Sequence, residues 1–309
     1  MLKLLLARLF STCIVVLGVV VMVFFLIHFV PGDPVDIMLG DNALPADREA
    51  LREALGLNLP LASQLLSYFS NLLQGDLGMS IHNRIPVLDL LVDRLPATIE
   101  LALASLLISI MIAFPLGIVA ALKKGEAVDK MAMGLSMLGV SIPNFLLGPV
   151  LILVFSIGAG WFPVSGRDGF GSLVLPAITL GTALAAVLSR MIRSTLLEVL
   201  HEDYIRTARA KGCSWLQVVT HHALRNAMLP IITLLGLQLG VLLGGAVITE
   251  TVFAWPGIGK LTIDAINTRD YPVLQACVLL ISLTYVVVNM VTDLVYGWID
   301  PRIRLGGTL

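Results

Sequence analysis

Two sets of residues in this chain could do chemistry. The first is a polar, basic run at residues 203–230, DYIRTARAKGCSWLQVVTHHALRNAMLP, wedged between two uncharged stretches long enough to cross a membrane. The second is a group of polar side chains within or at the ends of such stretches: Asn144, Gln238, Glu250, Asn289 and Asp293. Polar groups are costly in hydrocarbon, so each is a candidate to line a solute pathway. Asn289 and Asp293 stand four apart on one face of a helix; Asp293 reads equally as a boundary carboxylate near headgroups or paired with an arginine. Neither set is enzymatic. Gly257-Ile258-Gly259-Lys260 imitates the end of a phosphate-binding loop, but Ala254 stands where the leading glycine belongs and Leu261 replaces the Ser or Thr. His221 and His222 are adjacent and lack the one-turn spacing of a helical zinc pair, His28 and His82 are isolated, and no H-E-x-x-H occurs. No metal site, bound cofactor or catalytic apparatus is expected in this chain.

The basic run must be positioned by short helices. Asp203 is a candidate cap for a helix starting at Tyr204 and stopping at Gly212, a residue suited to the left-handed position after a helix end. Ser214 caps a second helix, with Gln217 completing a capping box, and that helix runs into the span beginning near Pro230. The stretch is either a solvated connector or a coupling element gripped by a soluble partner. Gly236, Gly240 and Gly244, with Gly245 beside the last, form a small-residue groove that lets another helix approach, either within the chain or in a second subunit.

The wider chain is built for lipid. It is 57% hydrophobic and 13% charged, with a mean hydropathy of +0.93. Charge-poor stretches long enough to span a bilayer fall at about 9–30, 101–122, 131–157, 169–189, 226–249 and 271–292. The fold class is therefore an all-α integral membrane protein of six transmembrane helices; the apolar runs are continuous, not alternating, which excludes a closed barrel. The first span reads as a retained anchor rather than a cleaved signal peptide. Lys and Arg placement predicts both termini inside: 13 basic residues fall on that side and 7 on the other. The divisions expected are a first helix at 1–30, an external loop at 31–95, a core at 96–297 with a polar loop at about 199–226, and a tail at 298–309.

The external loop carries nine acids against four arginines, with helical pieces at about 46–55 and 61–73 separated by Gly56 and Pro60. It is either a solubilising acidic surface or a landing surface for a solute-binding protein. Cys13, Cys213 and Cys277 form no disulfide framework and read as small apolar fillers. No basic, aromatic-interleaved patch points to nucleic acid.

Residues 203–230 resemble the cytoplasmic loop of ABC importer permeases. Arg206, Thr207, Ala208 and Gly212 sit where the E-A-A-x-x-x-G pattern would fall, with Arg206 and Thr207 replacing the acid and the first alanine. R-T-A-R-A-K-G followed by H-A-L-R-N-A-x-L-P is similar to the peptide, nickel and glutathione branch of that family. So are His28-Phe29-Val30-Pro31-Gly32-Asp33-Pro34, Gly75-Asp76-Leu77-Gly78-Met79-Ser80 and Leu95-Pro96-Ala97-Thr98. Val140-Ser141-Ile142-Pro143-Asn144-Phe145, residues 250–260 (ETVFAWPGIGK), Arg269-Asp270-Tyr271-Pro272 and Asp300-Pro301-Arg302 follow in the same order.

The resemblance implies a type I ABC importer permease in a bacterial inner membrane. It implies pairing with a second, homologous permease as a heterodimer, two ATPase subunits that use ATP and Mg, and an external binding protein. Within the coupling helix, Ala208, Ala210 and Gly212 would allow close approach, while Tyr204, Arg206, Thr207, Arg209 and Lys211 supply the remaining surface. Cargo would be dipeptides or short oligopeptides, with a nickel chelate or glutathione as the alternatives. The rival of another class is an ion-gradient-driven secondary transporter in which Asp293 and Glu250 carry protons.

Overall fold

The computed structural model describes residues 2–29, 35, 39, 44–54, 57–244 and 246–299. The chain divides into two compact units: residues 1–96 with 257–286, and residues 97–256 with 287–309. Among the described residues there is no strand, only an isolated bridge between Met79 and Pro86.

In the first unit, α1 (Leu2–Phe29) is followed by α2 (Pro45–Ala54) and α3 (Leu61–Leu73). The two short helices fall where the sequence places them, while Gly56 and Val30-Pro31-Gly32-Asp33-Pro34 lie outside the described residues. Tyr68 of α3 packs its ring on Phe24 of α1 at 5.8 Å, and burial pushes its hydroxyl up to about 12. The helix α4 (Val87–Leu122) begins well before its apolar run, because Pro96 is accommodated inside it. Its first turns, Val87, Leu90 and Leu91, close on Ile258, Leu261, Ala265, Val273, Ala276 and Cys277.

In the second unit, α5 (Ala127–Ser141) and α6 (Asn144–Leu151), with the π-turn Ile152–Gly158 that continues it, form an apolar helix pair bent by 97°. The cause is local. Pro143 disfavours a helical residue before it, and Ile142 is extended at φ −88°, ψ 113°. Asn144 begins the helix after the break. Next come α7 (Phe170–Leu200), α8 (Asp203–Ala210), α9 (Trp215–Gln217), a π-turn at Val218–Ala223 and α10 (Leu224–Leu243). The run Trp215–Leu243 is continuous, so this span starts before Pro230. It stops at Leu243, and Glu250 belongs to a separate short helix, α11 (Val247–Val252). The last helices are α12 (Ile258–Asn267), in the first unit, and α13 (Tyr271–Ile299).

By length and composition four described helices can cross a membrane: α4, α7, Trp215–Leu243 and Tyr271–Thr292 of α13. The bent α5–α6 pair makes a fifth if counted as one span. The remaining expected span falls on α1, whose described apolar stretch, Thr12–Phe25, is shorter.

Lipid tails are as apolar as leucine, so helices in a bilayer cohere by close packing and hydrogen bonds, and small residues matter. A Cβ at Gly181 of α7 would stand 2.7 Å from Ile108 Cγ2 of α4, and one at Gly117 of α4 would stand 2.7 Å from Ile192 Cβ of α7. These two glycines set the α4–α7 crossing. Two apolar clusters result in the second unit. One joins Leu188, Ile192 and Leu196 to Ile205, Ala208, Val218 and Ala223; the other surrounds Trp255 with Ala97, Leu101 and Leu180.

Candidate functional site

The segment from α8 to α9 is held by its own backbone. Glu202 occupies the cap position and Asp203 is the first helical residue, so the expected Asp203 side-chain cap is absent; Asp203 instead places an acid in the first turn, where the helix dipole favours it. The far end is closed by a Schellman motif. Gly212 N–H donates to Arg209 O at 3.0 Å and Cys213 N–H to Ala208 O at 3.2 Å, with Gly212 at φ +85°. One residue later the capping box forms as the sequence predicts: Gln217 N–H donates to Ser214 Oγ at 3.4 Å, and Ser214 N–H to Gln217 Oε1 at 3.0 Å. Two stop-and-start signals back to back define a tight corner between the two helices.

Rotation of α8 sorts its residues. Ile205 and Ala208 are buried against Leu196, Val218 and Ala223. Ala208, expected to meet a partner, therefore serves packing within its own chain. Arg206, Thr207, Arg209, Ala210 and Lys211 face outward. Thr207 Oγ1 donates to Asp203 O at 3.0 Å, and Arg206 makes a long 3.4 Å contact to Asp203. Arg209 lies over the Trp215 ring at 5.1 Å, and Tyr204 Oη accepts from Asn226 Nδ2 at 2.7 Å, tying α8 to α10. Leu216 stands beside this cationic face 72% exposed.

The intramembrane candidates lie on four different helices, α6, α10, α11 and α13. Gln238 of α10 is buried; its Nε2 donates to Leu184 O at 3.1 Å, while its Oε1 has no hydrogen-bond partner among the described residues. Glu250 is fully buried and accepts from Thr98 Oγ1 at 3.1 Å. Asn144 is half-buried after the Pro143 break, and Asn289 is half-buried on α13. Asp293 lies one turn further on; its side chain is outside those described, as is Gly245. In the glycine groove, a Cβ at Gly236 would collide with the Thr292 side chain, so this part of the stripe serves an α10–α13 crossing within the chain. Gly240 is buried, and Gly244 ends α10.

Sequence reasoning missed two polar joints. In the first unit, buried Asp270 accepts from the Ser80 hydroxyl and from the N–H groups of Ile81 and His82, both at 3.2 Å. In the second, Asp129 of α5 accepts from Arg193 Nε at 2.6 Å and Nη2 at 2.7 Å, and from Gly125 N–H at 2.9 Å. The only signal for the latter was opposite charge at the ends of two spans. Among the described residues no three His, Cys, Asp or Glu side chains are grouped to hold a metal ion.

The profile of the family described as "Binding-protein-dependent transport system inner membrane component" matches residues 113–305, and its N-terminal companion matches residues 1–102. The glutathione transport system permease protein GsiC of Escherichia coli O6:H1 (strain CFT073) is 45% identical, the match covering 92% of this chain and 93% of that one. The dipeptide transport system permease protein DppB of Escherichia coli K12 is 42% identical over 98% of this chain and 99% of its own. Among solved structures, a chain of the MetNI methionine ABC transporter in inward-facing form superposes with a TM-score of 0.59 at 18% identity, covering 68% of this chain and 96% of that one, which shows a shared fold. Matched by both profiles and by relatives over nearly its whole length, the chain belongs to the family of inner-membrane components of binding-protein-dependent transport systems.

Proposed function

We propose that this chain is one of two homologous membrane subunits of an ABC importer that brings dipeptides or short oligopeptides into the cytoplasm. It spans the inner membrane six times with both termini inside, and its partner is a second permease in a heterodimer. Two ATPase subunits, which bind ATP and Mg, dock on the outward face of α8, and a solute-binding protein delivers cargo from the other side. The observation that carries this reading is the outward cationic face of α8, where Arg206, Arg209 and Lys211 stand exposed beside Trp215 and Leu216 while Ile205 and Ala208 anchor the helix to the chain.

Mechanically, closure of the ATPases displaces α8; its Ile205 and Ala208 pass the movement to α7 and α10 through the shared apolar cluster. The spans then tilt as bodies and expose the pathway alternately to the two sides. Gln238, with its unsatisfied carbonyl, and Asn144 at the bend are the polar groups best placed to meet a solute. Asn289 and Asp293 are weaker candidates. The glutathione reading keeps a specific observation in its favour, the 45% identity to GsiC.

The test is uptake of labelled dipeptide, longer peptide, glutathione and nickel in cells lacking the gene and then complemented. Loss confined to small peptides supports the proposal; loss of glutathione or nickel uptake alone keeps the architecture and replaces the cargo. Uptake abolished by proton-gradient collapse at constant ATP would overturn the ABC mechanism in favour of a secondary transporter. Gly212→Glu is expected to leave insertion and ATP hydrolysis intact while lowering uptake more than about tenfold, as loss of a coupling free energy above 1.4 kcal/mol.

A further inference from the structure

The α5 and α7 helices are joined along an antiparallel ladder. At one end a Cβ on Gly139 would lie 3.1 Å from Ala186 Cβ and from Thr182 O. In the middle, the hydroxyls of Ser136 and Ser189 are hydrogen-bonded at 2.7 Å. At the other end the Arg193 guanidinium grips Asp129 with two parallel bonds. The carboxylate is buried, and Gly125 N–H in the α4–α5 turn supplies its third donor. A two-pronged guanidinium–carboxylate contact fixes orientation as well as distance, which a lysine or a neutral amide does not.

This fork sits at a mechanical junction. Ile192 and Leu196, flanking Arg193 on α7, belong to the cluster that holds Ile205 and Ala208 of α8. Arg193 thus faces α5 while its neighbours face the lever. At its opposite end, α5 stops at the Pro143 break, where the helix pair turns by 97°.

We infer that the Asp129–Arg193 pair is the positioning strut that carries displacement of α8 through α7 to α5 and so to the bend at Pro143. The inference rests on the reading of α8 as the coupling element. Without the fork, the Gly139 and Ser136 contacts still pack the helices, but α5 is free to swing about them at the end nearest the lever. Coupling is lost while the fold remains.

The experiment uses the complete transporter, with its partner subunits, in proteoliposomes. It reads uptake of labelled alanyl-alanine and of glutathione per ATP hydrolysed, a ratio independent of how much protein inserts. Asp129→Asn keeps shape and an acceptor for Gly125 but removes the charge; Arg193→Lys keeps the charge but removes the fork. Asp129→Asn is expected to lower the ratio about fivefold or more, within the range of measured coupling free energies, and Arg193→Lys to lower it less. If Asp129→Asn does not assemble, Arg193→Lys decides alone. An unchanged ratio in the assembled variants overturns the strut. Gly212→Glu run in parallel separates the two ideas: uncoupling by Gly212→Glu with a native ratio in Asp129→Asn removes the strut only. A native ratio in Gly212→Glu removes the coupling reading itself.

Discussion

Two segments outside the apolar spans have opposite designs. In the first unit, the turn at residues 80–83 points its donors inward: a hydroxyl and two amides converge on the buried carboxylate of Asp270, and the Ser80 oxygen accepts in turn from Asn83 N–H at 2.9 Å. In the second, the corner from α8 to α9 spends its local hydrogen bonds on its own backbone and leaves Arg206, Arg209, Lys211, Trp215 and Leu216 facing out. One segment is held by what it encloses. The other is held by its ends, which frees its side chains for a partner. Stability and function should therefore come apart differently when each is altered.

The largest effect on stability is expected at Asp270→Ala. It leaves the buried Ser80 hydroxyl without its acceptor and strips the Ile81 and His82 N–H groups of theirs, at a cost on the order of 3 kcal/mol, read as earlier thermal unfolding of the detergent-solubilised protein and faster amide exchange at residues 80–83. Unaltered exchange there would break the comparison. Gly212→Ala is a smaller perturbation. Nothing lies within 4 Å of the added methyl, so the cost is the left-handed conformation alone, about 1 kcal/mol. Uptake should fall further than that figure suggests, because the corner bends; normal uptake with the expected loss of stability would mean that stiffness is irrelevant. The smallest effect on stability belongs to Arg209→Gln. Its contact with Trp215 is worth about 0.5 kcal/mol at an exposed site, so unfolding should barely move while uptake drops severalfold. A variant transporting at the native rate would show that this cation touches no partner.

Much of the candidate site was legible because its signals act over a few residues. Gly212 at the end of α8 and Ser214 with Gln217 each follow from a steric or hydrogen-bonding rule confined to one turn. Asp203 shows the limit of such rules: a helix that starts one residue earlier turns an expected cap into a first-turn acid. Ala208 shows another. Its small size was readable, but the direction it faces was set by the rotation of α8 against α7 and α10.

The sequence by itself determined that the chain is helical and lipid-embedded, and where the polar corner starts and stops. Those features follow from composition and from local backbone sterics. Only the tertiary structure decided that Asp129 pairs with Arg193 across 64 residues, that Ser80 binds Asp270 across 190, and that Glu250 turns into the packing towards Thr98. The reason is that helices apolar on nearly every face carry no stripe to say which side meets lipid and which meets protein. Partner choice is made when small residues such as Gly181 and Gly117 let particular helices approach, and that choice depends on contacts far apart in sequence.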